Sequence, residues 1–165
     1  MTSSITTLPD FATQPGTRRP PHILYADDMQ QLRELFTIVL TREGYTIETV
    51  PDGQDALERL QREPATFDLL ITDHHMPRLN GLDLVRQARQ LPFTGKIIVF
   101  SSELSQIMTA QYRDNGVDLI LPKPIFPHTL RVILVQLFTA GGMVAADTPS
   151  GPPRLRPDGG SCWAV

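Results

Sequence analysis

Residues 67–73 read Phe67-Asp68-Leu69-Leu70-Ile71-Thr72-Asp73, and the chain continues His74-His75-Met76-Pro77-Arg78-Leu79-Asn80-Gly81. Three consecutive apolar residues closed by an aspartate describe a strand buried on both faces, because a half-exposed strand would alternate. Such strands belong to parallel sheets, whose crossovers are helices. The flanking sequence supplies more strands of the same kind. Ile23-Leu24-Tyr25-Ala26 is a short apolar run closed by Asp27-Asp28, and residues 45–50 are rich in β-formers. Further on, Ile97-Ile98-Val99-Phe100 leads into Ser101-Ser102, and Leu119-Ile120-Leu121 leads into Pro122-Lys123-Pro124.

Amphipathic helices fall between these strands. Leu32, Leu35, Phe36, Val39 and Leu40 recur at helical spacing, and Gly44 stops that helix. Asp52 caps a second helix, with Asp55 near its positive end, a buried face of Ala56, Leu57 and Leu60, and Pro64 after it. Asn80 caps a third, carrying Leu82, Val85 and Ala88 and closed by Pro92. Residues 104–115 form a weaker helix stopped by Gly116. Pro127 opens the last, whose apolar face is Leu130, Ile133, Leu134, Leu137 and Phe138. Five β-α units predict a doubly wound (βα)5 α/β sandwich around a parallel sheet.

Composition sets the boundaries. Of 15 prolines in 165 residues, eight lie before His22 or after Ala140, in segments without apolar periodicity. Such segments bury too little surface to offset their ordering entropy, so residues 1–21 and 141–165 are expected to be flexible tails. Residues 22–140 form one expected domain of net charge −4, and the tails together carry +1. A lone Cys162 excludes an internal disulfide, and no Cys/His array suggests zinc. The slight acidity gives no reason to expect nucleic acid or an anionic membrane as partner. No apolar run reaches the ~18–20 residues of a membrane span. The first 21 residues lack the basic start and apolar stretch of a secretory signal, so a cytoplasmic protein is expected.

In a doubly wound sheet, ligands bind beyond the carboxyl ends of the strands. Asp27, Asp28, Asp73, Ser101 and Lys123 all follow strands there. Three clustered carboxylates need a counter-charge, and Mg2+ suits oxygen donors of this type. Lys123 offers a point charge and Ser101 a hydrogen bond to a phosphate oxygen, and a carboxylate can itself attack phosphorus. Capping of a helix start would explain Asp27-Asp28 alone, but Asp73 and Lys123 in register outweigh that reading. His74-His75 invites a transition-metal site, which the tendency of adjacent side chains to point apart disfavours.

Asp27-Asp28, the run Asp73-His-His-Met-Pro-Arg-Leu-Asn-Gly81, Phe100-Ser-Ser and Pro122-Lys-Pro resemble the receiver domain of bacterial response regulators, over residues 22–140. The resemblance implies a flavodoxin-like five-stranded sheet in order 2-1-3-4-5, similar to stand-alone chemotaxis regulators. It implies Asp73 as phosphoacceptor and also as a Mg2+ ligand, Asp28 as a direct Mg2+ ligand, Asp27 as one acting mainly through water, and the His75 backbone carbonyl as the remaining protein ligand. It implies that Ser101 hydrogen-bonds the phosphoryl group and Lys123 pairs with it. The partners implied are a histidine kinase or phosphotransfer protein and an unknown downstream protein. His75, two residues after the phosphoacceptor, is expected to tune phosphoryl lifetime.

The chain departs from the family pattern at Ile120, where many members carry an aromatic, and at Ile125-Phe126, where Phe commonly follows Lys-Pro. Two other readings compete: a phosphorylation-independent adaptor on the same fold, and a Mg2+-dependent phosphatase. Aspartate-nucleophile phosphatases of the haloacid dehalogenase type want a second Asp where this chain has His75.

Overall fold

The computed structural model describes residues 19–103 and 105–139. Strands and helices alternate without exception: β1 (His22–Ala26), α1 (Gln30–Arg42), β2 (Thr46–Val50), α2 (Gly53–Arg62), β3 (Leu69–Asp73), α3 (Gly81–Ala88), β4 (Lys96–Ser101), α4 (Gln106–Asp114), β5 (Leu119–Pro122) and α5 (Pro127–Thr139). All pairings are parallel, and the strand order is β2-β1-β3-β4-β5. The doubly wound architecture follows from the sequence pattern, and the order is the one the resemblance implied. Chain direction across the sheet reverses between β1 and β3, the switch point at which such folds open a crevice.

The continuous apolar runs divide into two cores because side chains alternate across a strand. Leu24 and Ala26 of β1, Leu70 of β3, and Ile97 and Val99 of β4 face one core. Ile23 and Tyr25, Leu69 and Ile71, and Ile98 and Phe100 face the other. α2, α3 and α4 cover the first through Ala56, Leu57, Leu60, Leu84, Val85, Ala88 and Tyr112. α1 and α5 cover the second through Phe36, Leu40, Leu130 and Leu134.

Local chemistry sets the element ends. Asp52 accepts from the backbone N–H groups of Gln54 and Asp55, and Asn80 accepts from that of Asp83, as expected of these caps. Gly44 and Gly116 end α1 and α4 at φ +86° and +71°. The fourth helix begins later than expected, because the Ser105 side chain caps it. On α1 the buried face is narrower than the periodicity suggested: Phe36 and Leu40 are buried, while Leu35 is 41% exposed. On α3 it is Leu84, not Leu82, that is fully buried beside Val85 and Ala88.

Arg19 pairs with Asp68, and the Pro21 carbonyl accepts from Thr46 N–H, so these residues contact the amino edge of the sheet. The remainder of both expected tails, with Cys162 and Trp163, lies outside the described residues. Among the described residues no helix is long and apolar enough to cross a membrane.

Candidate functional site

Four of the five strands deliver polar residues to one edge. β1 ends one residue before Asp27, which is buried, and Asp28, which is exposed. β3 ends on the buried Asp73, β4 on the buried Ser101, and β5 one residue before Lys123. Carboxylate oxygens of Asp27, Asp28 and Asp73 all lie within 4.8 Å of one another. Lys123 Nζ stands 3.0 Å from Asp27 Oδ2 and 2.8 Å from Asp73 Oδ2. Burial pulls this ammonium down, but the hydrogen bond to Asp73 and the charge of Asp27 outweigh it and hold Lys123 above its ordinary value. Three carboxylates against one ammonium leave two negative charges in a set of hard oxygen donors. That donor set fits a divalent cation such as Mg2+.

The loop after β3 is tightly constrained. A Cβ on Gly81 would sit 2.2 Å from the Asp73 carbonyl oxygen, so glycine alone lets α3 start against the end of β3. Gly81 N–H also donates to the His74 carbonyl at 2.9 Å. Arg78 adopts φ +62° and pairs with Asp52 and Asp55, tying this loop to the start of α2. A Cβ on Gly53 would meet the Leu79 carbonyl oxygen at 2.3 Å, so the two loops also touch backbone to side-chain position. An open groove of about 690 Å³, lined in part by Asp28, His74, His75 and Arg86, runs beside the acidic cluster.

The structure thus brings together Asp27, Asp28, Asp73 and Lys123. Ser101 lies at the same edge, but its hydroxyl donates to the Glu103 carbonyl at 2.5 Å and accepts from Glu103 N–H at 3.1 Å. It is therefore engaged by its own turn and not by Asp73. The His75 side chain is exposed, with Nε2 3.9 Å from the Glu103 carboxylate. The His74 and His75 rings do not diverge as adjacent side chains on a strand would. The chain leaves the strand at Asp73, and the rings meet edge to face at 4.5 Å.

Two tyrosines at this edge were read from the sequence only as strand or helix residues. Tyr25 lies two positions before Asp27, hence on the same face of β1, and its hydroxyl donates to Asp27 Oδ2 at 2.8 Å. That spacing was a usable signal. Tyr112 Oη lies 2.6 Å from His74 Nδ1, across 38 residues, and no local pattern announces it.

Residues 23–135 match the family described as the response regulator receiver domain. Two-component response regulator ORR11 of Oryza sativa subsp. japonica is 30% identical over 114 residues, which are 68% of this chain and 77% of that protein. Response regulator MprA of Mycobacterium leprae (strain TN) is 37% identical over 102 residues, covering 62% of this chain and 44% of that protein. The chain therefore spans less than half the length of that bacterial relative. Among solved structures, Vibrio cholerae chemotaxis protein CheY4 superposes with a TM-score of 0.66 at 29% identity, covering 71% of this chain and 98% of that one.

Proposed function

The chain belongs to the response regulator receiver domain family, and from that membership we propose that Asp73 accepts a phosphoryl group from a histidine kinase or phosphotransfer protein. Receiver domains are phosphoacceptor signalling modules. The observation that carries the assignment of Asp73 is Lys123 Nζ bridging it to Asp27 at 2.8 and 3.0 Å, over the carboxyl edge of the sheet.

A carboxylate oxygen of Asp73 attacks phosphorus of a phosphohistidine. The new O–P bond forms as the N–P bond breaks, and the donor imidazole leaves. Lys123 exchanges its bond to Asp73 for one to a phosphoryl oxygen and neutralises charge there. Asp28 and Asp73 would hold Mg2+, Asp27 mainly through water, and the His75 carbonyl would be the remaining protein ligand. Bound there, the cation supplies electrostatic stabilisation of the transferring group. The Ser101 hydroxyl leaves the Glu103 carbonyl to donate to the phosphoryl group. A downstream protein recognises the modified state, and hydrolysis of the acyl phosphate returns Asp73 to its carboxylate.

The test is intact mass after incubation with Mg2+ and acetyl phosphate. The parent gains one phosphoryl group, while Asp73→Asn and the parent in a chelator do not. Two observations favour a second reading, a phosphorylation-independent adaptor on this fold: the engagement of Ser101 with Glu103 and the presence of Ile120. No adduct on the parent would select it. Rapid turnover of assorted phosphomonoesters would instead select an enzyme.

A further inference from the structure

α4 meets the rest of the molecule through one face. Tyr112 is its buried residue, and Met108, four positions earlier and so on the same face, packs partly buried against the same core. Its outward face is open to solvent, with Ile107 75% exposed. One inward side chain ends on His74, next to Asp73, and the other on Ser101, at the end of β4. Tyr112 Oη reaches His74 Nδ1 at 2.6 Å, with the rings edge to face and 5.7 Å between centroids. Met108 Sδ lies 3.8 Å from Ser101 Oγ. The His74 backbone N–H in turn lies 2.6 Å from Asp73 Oδ1 and 3.0 Å from the Phe100 carbonyl.

A shift of the Asp73 carboxylate therefore acts on His74 directly. Movement of the Ser101 hydroxyl alters the contact at Met108 Sδ. Ile120 packs partly buried against the same core but has no hydrogen-bonding group to carry such a change.

We propose that Tyr112 is a positioning residue that couples the surroundings of Asp73 to α4 through its hydrogen bond to His74, so that a change at Asp73 repositions α4. The proposal rests on the phosphoacceptor reading for its trigger but not for the coupling itself. Coupling is reciprocal, so a protein that binds α4 and favours one placement also changes how readily Asp73 is modified.

Hydrogen exchange of residues 106–114 tests it, with the full chain, in the parent, Tyr112→Phe, Asp73→Ala and the double variant. Tyr112→Phe keeps the ring and loses the hydroxyl. It lowers α4 protection roughly 2- to 12-fold, the range that follows from the net worth of one hydrogen bond. Asp73→Ala alters α4 protection in the parent and leaves it unchanged in Tyr112→Phe. Additive effects in that cycle overturn the coupling, with no phosphorylation required. His74→Phe removes the imidazole from the other side and must reproduce Tyr112→Phe, which keeps the test decisive if Tyr112→Phe folds poorly. With acetyl phosphate and Mg2+, the parent shows a change in α4 protection. Tyr112→Phe gains the phoshoryl mass yet loses most of that change, and an equal change in both overturns the proposal. A parent that gains no phosphoryl mass sinks the phosphoacceptor reading alone, and the Asp73→Ala cycle still decides the coupling.

Discussion

Asp27 receives three donors on two oxygens: Tyr25 Oη at 2.8 Å and Lys123 Nζ at 3.0 Å on Oδ2, and Met29 N–H at 2.9 Å on Oδ1. A carboxylate this occupied is suited to holding a metal's water and less suited to direct ligation. Asp28, exposed beside it, has the freer oxygens. Burial, with the charge of Asp27 adding to it, pushes the Tyr25 phenol well above its usual range. Tyr25→Phe is expected to weaken Mg2+ binding roughly tenfold, as loss of a group that orients a ligand does. Titration calorimetry reads this directly, and unchanged affinity would remove Tyr25 from the site. His75 is expected to act at the same scale but on water. Its exposed imidazole stands two residues beyond Asp73, so His75→Asn is expected to change the dephosphorylation rate of Asp73 severalfold without changing Mg2+ affinity. The carboxylates and Lys123 were legible in the sequence because each lies within two residues of the end of an apolar run. The engagement of Ser101 with Glu103 was not, since a hydroxyl's partner depends on a side-chain rotation that spacing does not encode.

At the scale of elements, the start of α2 is an electrostatic junction. Asp52 caps α2 and also receives Arg78 from the β3–α3 loop at 2.7 Å. Burial alone would raise its carboxyl, but the N–H groups of Asp55 and Gln54 and the Arg78 guanidinium together hold it below the ordinary range. A depressed folded value gives stability that is present above the unfolded value of about 3.9 and is lost as pH falls through the folded one. Asp52→Ala is therefore expected to cost about 1–2 kcal/mol at neutral pH. The difference from the parent should shrink in urea melts below about pH 4; a difference that stays constant into acid would show that the charge is not involved. The cap itself was legible as Asp52-Gly53 before an apolar face. Its pairing with Arg78 was not, because it joins residues 26 apart through a left-handed backbone turn at a non-glycine position. The same limit explains α1. Periodicity marks Leu35 as inward, but a helix lying against one sheet face buries a stripe too narrow to include it, and Phe36 and Leu40 fill that stripe.

At the scale of the whole molecule, the parallel sheet forces a conflict. Aligning five strands buries their apolar runs in two cores, and it also delivers three carboxylates to one edge with Lys123 as the cation that bridges two of them. The strand ends made this convergence legible, because topology alone brings them together. The Tyr112–His74 contact depends on how α4 lies across the sheet, which only packing determines. Clustered like charges destabilise the folded state and a bound cation reverses the sign, so function and stability oppose each other at this edge. One substitution separates the two effects. In a chelator, Asp28→Asn relieves repulsion and should melt higher than the parent. With Mg2+ at a hundredfold excess over its dissociation constant, the parent should gain about 2.7 kcal/mol by mass action, or roughly 5–10 °C. Asp28→Asn should gain far less, so the order of the two melting temperatures inverts between the two conditions. Calorimetric scans of both proteins in both buffers decide it. The same order in each would mean that the carboxylates are not held in repulsion or that the cation is not held by Asp28.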